Sequence, residues 1–305
     1  MNILEVENIV KAFGDYKAVD GVSFDVEKGR IMGVLGPNGA GKTTTIRMIN
    51  NILIPDEGKI TIFGEPVSYD LQNRIGYLPE ERGLYKKVKV IEQLVYFGQL
   101  KGMSKTDATN ESREWLRKVD AADWETKKIQ ELSKGMQQKV QFISTILHDP
   151  EILILDEHFS GFDPLNVELL KRIILDLKDQ GKTILLSTHV MEQAEQMCDD
   201  IVLISKGRHI RSGILREIKK SFGKDTILME FDGDDAFLNE FSGLKFVNRS
   251  KNRVEFRITN QEVKLKNILT KAADEVDLFK FELVEPSLRE IFIDLVSEKE
   301  EVQNA

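Results

Sequence analysis

Residues 36–43 read GPNGAGKT and directly follow the apolar run IMGVL at 31–35. Their spacing matches the pattern G-x-x-x-x-G-K-[ST]. The segment at 43–52, TTTIRMINNI, has helical character. A strand, a glycine-rich turn and a helix in this order predict a phosphate-binding loop and an α/β fold; an ordinary glycine turn is the alternative.

The residue types in this loop suit a nucleotide. Gly36, Gly39 and Gly41 have no Cβ atom, so backbone N–H groups can curl around a β-phosphate. Lys42 can neutralise the β and γ oxygens, and the hydroxyl of Thr43 suits Mg²⁺. The phosphates would also lie at a helix N-terminus, whose partial positive charge favours anions.

The composition is that of a soluble globular protein. The 305 residues are 41% hydrophobic and 31% charged, which is enough for one large domain and a smaller one. A net charge of −8 argues against a nucleic-acid partner. No apolar stretch approaches the roughly 20 residues that span a bilayer, and the N-terminal residues lack the pattern of a signal peptide. We therefore expect a cytoplasmic protein, and we expect its one cysteine, Cys198, to be a buried small residue.

Periodicity predicts the elements around the loop. Apolar residues alternate over 4–26, which predicts antiparallel strands. Residues 82–150 lack strand signals and have helical periodicity, which predicts an inserted helical lobe. Strand-type runs at 152–155 and 183–187 are separated by a helical segment, a βαβ pattern that implies a parallel sheet.

The sequence changes character after residue 213, where no glycine-rich or catalytic motif remains. Ser287 and Glu290 form a capping-box pattern before a terminal helix. We predict a small α+β domain of βαββαβ type, followed by a frayed, charged tail over 297–305. The runs that alternate as strands are 226–231, 253–258 and 278–283.

The second chemical element is ILILDE at 152–157. Four apolar residues predict a buried strand, whose end places Asp156 where its charge can hold Mg²⁺ through water. Glu157 stands one residue nearer solvent and can orient or deprotonate an attacking water. A strand ending in two acids also occurs where it caps a helix or meets solvent, but together with the loop at 36–43 the pair favours nucleotide hydrolysis.

Residues 132–138, LSKGMQQ, lie just before the acidic strand. In isolation they describe a serine-capped helix. Here the chain resembles the ATP-binding subunits of ABC transporters, whose signature is usually LSGGQ, with Lys134 in place of the first glycine. The resemblance covers roughly the first 215 residues. It implies a P-loop fold of ABC type, with a mixed sheet, an antiparallel β subdomain and an inserted helical lobe.

That resemblance also implies a head-to-tail dimer with ATP between two copies of the chain. Ser133, Gly135 and Gln137 of one copy would complete the γ-phosphate site of the other. The expected domains are an ATPase domain at 1–218, with its helical lobe at about 82–150, and a C-terminal accessory domain at 219–305.

Other family elements follow in the expected order. Phe13 in KAFG resembles the aromatic residue that stacks on adenine; a core strand residue is the alternative. Residues 160–163, SGFD, resemble the D-loop, with Asp163 near ATP; a plain turn is the alternative. His189 matches the switch histidine that contacts the γ-phosphate. The resemblance implies that Lys42, Glu157 and His189 are catalytic, and that the loop contacts to ATP are Gly36, Asn38, Gly39, Ala40, Gly41, Lys42, Thr43 and Thr44.

Two positions depart from the family pattern. Glu80 stands where most relatives have the glutamine of the Q-loop; it can still ligate Mg²⁺, and an altered metal dependence is our hypothesis. His158 replaces the proline that is common after the catalytic glutamate. The implied metal ligands are Thr43, Glu80 and Asp156.

The segments LPEERGLY, SGFDP and PSLREIFIDLV resemble exporter ATPases of the drug-resistance and sodium-extrusion type. This implies a separate integral membrane permease as partner, at the cytoplasmic face of the membrane. The permease would dock in a groove between the main and helical lobes, lined by residues after Glu80, including Tyr85. The accessory domain could regulate, hold the dimer, brace the permease or only stabilise the chain.

Two other classes of protein compete with this interpretation. An ABC-type ATPase that works on ribosomes or DNA typically carries two cassettes or a long coiled coil, and this chain has one cassette and no sustained heptads. A small-molecule kinase would share the phosphate loop but would not need Ser133 and Gly135 in this position.

Overall fold

A computed structural model describes residues 1–81, 83–157, 164–222, 226–260 and 262–304. The chain divides into two compact units, residues 1–214 and 215–305. The boundary drawn from sequence, at 218/219, falls inside the helix Leu215–Ser221, which belongs to the second unit.

The first unit contains runs of strands and of helices, and the two alternate over residues 152–205. Its elements are β1 (Asn2–Phe13), β2 (Tyr16–Glu27), β3 (Ile31–Leu35), α1 (Lys42–Ile49), β4 (Glu57–Ile62), β5 (Glu65–Pro66), β6 (Ile75–Leu78), α2 (Val90–Leu100), α3 (Lys105–Lys118), α4 (Lys134–Ile146), β7 (Ile152–Asp156), α5 (Pro164–Asp179), β8 (Thr183–Thr188), α6 (Met191–Met197), β9 (Asp200–Ser205) and β10 (Arg208–Ile214).

An antiparallel sheet has the strand order β2-β1-β4-β5. The strands β1 and β2 form a long hairpin that closes where Phe13 pairs with Tyr16. On β2 the alternate residues Val22, Phe24 and Val26 are buried, as the sequence pattern predicted, whereas β1 also buries neighbours such as Ile9 and Val10, where its register with β2 shifts.

The central sheet has the order β10-β9-β3-β8-β7-β6. Its strands are parallel except β10, which runs antiparallel to β9. Every residue of β3, β7, β8 and β9 is buried, which explains why these strands read as continuous apolar runs and not as alternating ones. The predicted βαβ unit is confirmed as β7, α5 and β8, and the parallel strands end at one common edge.

The helical lobe consists of α2, α3 and α4, as predicted. Serines begin two of these helices: the hydroxyl of Ser104 accepts a hydrogen bond from the Asp107 N–H, and that of Ser133 accepts one from the Met136 N–H. The first helix of the lobe begins at Val90, some residues after the predicted start of the lobe at 82.

The second unit is an α+β sandwich with the elements α7 (Leu215–Ser221), β11 (Thr226–Asp232), β12 (Leu244–Ser250), β13 (Arg253–Ile258), α8 (Leu265–Glu275), β14 (Asp277–Val284) and α9 (Leu288–Asn304). Its antiparallel sheet has the order β12-β13-β11-β14 around a core that includes Met229, Phe231 and Phe256. A short 3₁₀ helix, Asp235–Glu240, stands where the βαββαβ pattern predicts the first helix. The sequence did not reveal β12.

The end of the chain differs from expectation in one respect. The capping box is confirmed, since the Ser287 N–H donates to Glu290 Oε2 at 2.6 Å and the Glu290 N–H donates to Ser287 Oγ at 3.3 Å. The tail predicted to be frayed is instead helical to Asn304. Glutamate, lysine and glutamine are good helix formers, so a well-capped helix can continue through them.

Cys198 is buried and free, as predicted, and burial raises the pKa of its thiol. In the described parts of the chain, no helix combines the length and the apolar character that crossing a bilayer requires.

Candidate functional site

A cavity of about 600 Å³ opens where β3, β7 and β8 end. This is the edge at which open α/β sheets bind ligands. The cavity is lined by Tyr16, Ala18, Asn38, Gly39, Ala40, Gly41, Lys42, Thr43, Thr44, Glu80, Glu157 and His189. The structure therefore brings most of the predicted nucleotide and metal residues of one copy to one place.

The glycines of the loop have a packing role as well as the predicted one. Gly41 has φ +102°, and a Cβ atom there would lie 2.5 Å from the Ala18 carbonyl oxygen. A Cβ atom at Gly36 would collide with the Ile204 carbonyl. Since α1 begins at Lys42, the close fit of this turn also sets the first N–H groups of the helix at the cavity.

The ammonium of Lys42 has three partners and is only 5% exposed. Its Nζ donates to the carbonyls of Gly36 at 2.9 Å and Pro37 at 3.1 Å. It also lies 3.0 Å from Glu157 Oε1. The first two contacts are hydrogen bonds and the third is an ion pair, so the buried charge of Lys42 is compensated by Glu157.

Asp156 ends β7 and is 0% exposed. Its Oδ1 accepts hydrogen bonds from the hydroxyls of Ser187 and Thr43, the latter at 3.3 Å. Burial raises the pKa of this carboxyl, and the two hydroxyl bonds partly offset the rise. Its second oxygen, Oδ2, is buried without a hydrogen-bond partner.

These oxygen donors fit a magnesium ion. Mg²⁺ prefers hard oxygen ligands and is commonly held by one or two carboxylates together with substrate phosphates. Within the described ranges, no three His, Cys, Asp or Glu side chains form a metal site by themselves. A free carboxylate oxygen on Asp156, the Thr43 hydroxyl and the nearby Glu80 suit an ion that completes its shell with a nucleotide.

Glu157 and His189 both line the cavity and contact each other directly. His189 Nδ1 lies 2.8 Å from Glu157 Oε2, and because a carboxylate only accepts hydrogen bonds, the N–H form of Nδ1 donates. The Glu157 side chain is 9% exposed, whereas that of His189 is 43% exposed. Glu157 has φ +48°, a left-handed conformation that is unusual for a residue with a Cβ atom.

The signature residues lie away from this cavity. Ser133 is exposed at the start of α4, and Gly135 lies in its first turn. Gln137 Nε2 donates to the carbonyls of Ile129 at 3.1 Å and Leu132 at 3.0 Å, so its amide braces the loop before the helix. None of the signature residues lines the phosphate cavity of its own copy.

Two aromatic residues stand at the hairpin tip. Phe13 is 52% exposed, which excludes the alternative that it is a core residue. Tyr16, its pairing partner, is 60% exposed and lines the cavity. Sequence reasoning missed Tyr16; the signal was a second aromatic three residues after Phe13, across a tight turn.

A second cavity, of about 350 Å³, lies between the central sheet and the helical lobe. It includes Tyr77, Pro79, Leu84 and Phe97. Tyr85, predicted to line this groove, is not among the lining residues but packs its ring 6.3 Å from that of Phe97. His158 and the proposed D-loop at 160–163, with Asp163, lie outside the described residues.

Two family models match the chain. The ABC transporter model matches residues 19–160. The model of the C-terminal domain of DrrA1-3-like ATP-binding proteins matches residues 213–296.

Curated relatives extend over nearly the whole chain. The uncharacterized ABC transporter ATP-binding protein YhaQ of Bacillus subtilis is 48% identical, over 96% of this chain and 98% of its own length. The linearmycin resistance ATP-binding protein LnrL of the same species is 32% identical, over 96% and 98%. The Nod factor export ATP-binding protein I of Burkholderia lata is 37% identical, over 73% and 75%.

Solved structures agree with these relatives. An ATP-binding subunit of an ABC transporter is 32% identical with a TM-score of 0.68, over 72% of this chain and 93% of the other. A nucleotide-free ATP-binding cassette is 27% identical with a TM-score of 0.64, over 72% and 94%. The chain therefore belongs to the ATP-binding proteins of ABC transporters, a family of ATP-hydrolysing cassettes.

Proposed function

We propose that this chain energises export through a separate membrane permease by closing and reopening as an ATP-dependent dimer. The observation that carries the proposal is the division of the site. Lys42, Glu157 and His189 line one cavity, with the buried Asp156 next to Glu157 in the chain, while Ser133 is exposed elsewhere on the same copy. A second copy, placed head to tail, could supply that serine to the phosphates.

The proposed chemistry is mostly positioning and charge stabilisation. Lys42 and the first N–H groups of α1 hold the phosphates. Mg²⁺, held by Thr43, Asp156 and Glu80, would neutralise charge on the β and γ oxygens. Glu157 orients or deprotonates the attacking water, and His189 contacts the γ-phosphate.

The test of this dimer uses Glu157→Gln. Without the carboxylate the variant should bind ATP, turn it over at least about 100-fold more slowly and accumulate a dimer, because the closed state is no longer released by hydrolysis. Sedimentation with ATP and Mg²⁺ measures the dimer, and phosphate release measures turnover. Normal turnover in the purified variant would show that Glu157 does not activate the attacking water.

A companion variant tests the contribution of the second copy. Ser133→Arg places a bulky cation at an exposed position, so the fold should persist while the dimer is lost. Combined with Glu157→Gln, it should leave ATP binding intact and keep the protein monomeric. A stable ATP-dependent dimer in the double variant would refute the head-to-tail arrangement.

The proposed permease surface is the groove beside Phe97. Tyr85 and Tyr96 are 55% and 46% exposed around it, and their rings lie 6.2 Å apart. Exposed aromatic groups beside an apolar cavity suit a helix from another protein. Tyr96→Asp should reduce the fraction of the chain recovered with membranes from its own cells, without slowing its ATPase activity in solution. Unchanged membrane recovery would count against this groove.

Export as the direction of transport is supported by two relatives whose names state resistance or export. In this proposal the chain lies at the cytoplasmic face of the membrane. Deleting the chain should lower the efflux of the transported compound and raise its amount inside the cell, whereas an importer would give the opposite change.

A further inference from the structure

Ser187 is a buried hydroxyl residue beside the proposed catalytic acids. It is the penultimate residue of β8, is 0% exposed and pairs with Asp156 of β7 in the parallel register. None of the motifs in the sequence involves this residue. Serine in a fully buried parallel strand calls for hydrogen-bond partners.

The hydroxyl of Ser187 joins two neighbouring residues. It donates its hydrogen to Asp156 Oδ1 at 2.5 Å. With its proton directed to Asp156, the oxygen has a lone pair for the Glu157 N–H, which donates to it at 3.1 Å. The same N–H lies 3.2 Å from the Ser187 carbonyl oxygen.

Glu157 needs such support because its backbone is left-handed, at φ +48°. This conformation is disfavoured for residues other than glycine and persists where surrounding groups hold it. Its carboxylate meanwhile contacts Lys42 and His189, both of which would engage phosphate when ATP binds. The backbone anchor at Ser187 does not depend on those side-chain contacts.

We propose that Ser187 is a positioning residue, which holds the backbone of Glu157 so that its carboxylate stays directed at the attacking water. Asp156 orients the Ser187 hydroxyl for this purpose. The inference rests on the proposed role of Glu157 as the base. It assigns Ser187 no contact with ATP.

The test compares two buried hydroxyls on one strand. In Ser187→Ala the Glu157 N–H keeps only the backbone carbonyl of residue 187 as acceptor. The backbone at Glu157 should therefore loosen while the protein stays folded. We expect kcat to fall about tenfold or more, with the KM for ATP and the equilibrium affinity for ATP within about twofold of wild type. Ser187→Cys, which keeps the volume but accepts hydrogen bonds weakly, should show the same split with a smaller loss.

Thr183→Val is the matched control at the other end of β8. Thr183 is 1% exposed, and its hydroxyl accepts a hydrogen bond from the Gly29 N–H at 2.9 Å. The variant loses a buried hydrogen bond far from the cavity, so it should lower stability by a similar amount and leave kcat unchanged. An equal loss of kcat in both variants would reduce Ser187 to a structural role and overturn the proposal.

A double variant separates this inference from the function on which it rests. If Ser187 acts through Glu157, then Ser187→Ala should change the residual rate of Glu157→Gln by less than about twofold. A further tenfold loss would show that Ser187 acts elsewhere. If Glu157→Gln itself retains normal turnover, the proposed base fails; if it loses turnover and Ser187→Ala does not, only the role of Ser187 fails.

Discussion

The two units of the chain use buried charges in opposite ways. In the first unit, Lys42 and Glu157 are 5% and 9% exposed on their side chains and border an open cavity. In the second unit, Arg257 lies between Glu290 and Asp294, with side chains 12%, 11% and 21% exposed. There the guanidinium contacts the two carboxylates at 3.5 and 2.5 Å, and it also donates to the Thr226 hydroxyl at 3.1 Å.

This difference distinguishes buried charges that serve ligand binding from buried charges that stabilise the fold. Burying a charge is costly unless it is paired, so both sets need partners. The charges of the first unit face space that a ligand can fill, which is typical of functional sites. The charges of the second unit are satisfied by one another between its sheet and α9, which is typical of a structural network.

The largest effect is expected for Lys42→Ala. Removing the ammonium that contacts the loop carbonyls and Glu157 should weaken ATP binding by about 100-fold and abolish turnover. Isothermal titration with ATP measures the affinity, and a thermal unfolding scan in parallel shows that the fold is retained. Wild-type affinity in a folded variant would contradict the assignment of this cavity to the phosphates.

Phe13 and Tyr16 should contribute to binding of the adenine ring of ATP and not to binding of its phosphates. Phe13→Ala and Tyr16→Ala should each weaken ATP binding about fivefold to tenfold, since stacking on a base contributes on the order of 1 kcal/mol. Inorganic triphosphate is the control ligand, whose affinity should fall in Lys42→Ala but not in either aromatic variant. If Tyr16→Ala leaves ATP affinity unchanged, its place at the cavity edge has no role in binding.

In the second unit, Arg257→Met should act on stability alone. It leaves Glu290 without its cation and Asp294 with only Lys245, at 3.4 Å, which we expect to lower the free energy of unfolding by about 2 kcal/mol. Arg253→Met on the same strand is the control, because Arg253 is 51% exposed and its ion pairs are weak surface ones. Urea unfolding and the ATPase rate are the two measurements. A slower ATPase in folded Arg257→Met would show that this network serves catalysis.

The smallest effect concerns His148, a partly buried ionisable group of the first unit away from the phosphate cavity. Burial, and then the charge of Lys101, lowers the pKa of this imidazole to about 4 from its usual 6.5. Between these values the unfolded chain binds a proton that the folded chain excludes. Its contribution to stability is therefore complete above pH 6.5 and is lost as the pH falls toward 4, by at most about 1.4 kcal/mol per pH unit.

His148→Gln removes the titrating imidazole from both the folded and the unfolded chain. The free energy of unfolding measured at pH 7 and pH 5 should differ less in the variant than in wild type. An equal pH dependence in the two proteins would mean that His148 titrates normally in the folded chain.

Local patterns were enough to predict much of the fold and the centre of the site. The loop at 36–43, the strand ending at Asp156 and the helix beginning after Ser133 each carry their signal within a few consecutive residues. Buried parallel strands are continuous apolar runs, and half-buried strands alternate, so both were readable. The edge strand β12, LKFVNRS, mixes exposed polar and half-buried apolar residues and gives neither pattern.

The site residues that the sequence did not reveal are placed by strand register and by turns. Ser187 meets Asp156 across 31 positions because β7 and β8 pair in one particular register, which the sequence does not specify. Tyr16 reaches the cavity because a tight hairpin turns it back beside Phe13. The Ser187 contact is not encoded by spacing along the chain, and the short spacing of Tyr16 from Phe13 gains its meaning only from the turn between them, so both contacts appear only when the sheet is assembled.

The contact between Lys42 and Glu157 has a consequence for measured affinities. An arriving β- or γ-phosphate must replace the Glu157 carboxylate at the Lys42 ammonium, so the binding energy of ATP or ADP is reduced by the lost carboxylate contact. A neutral residue at position 157 removes that competitor. Glu157→Gln should therefore hold ADP as well as ATP more tightly than the wild-type chain, an effect that arises before any bond is cleaved.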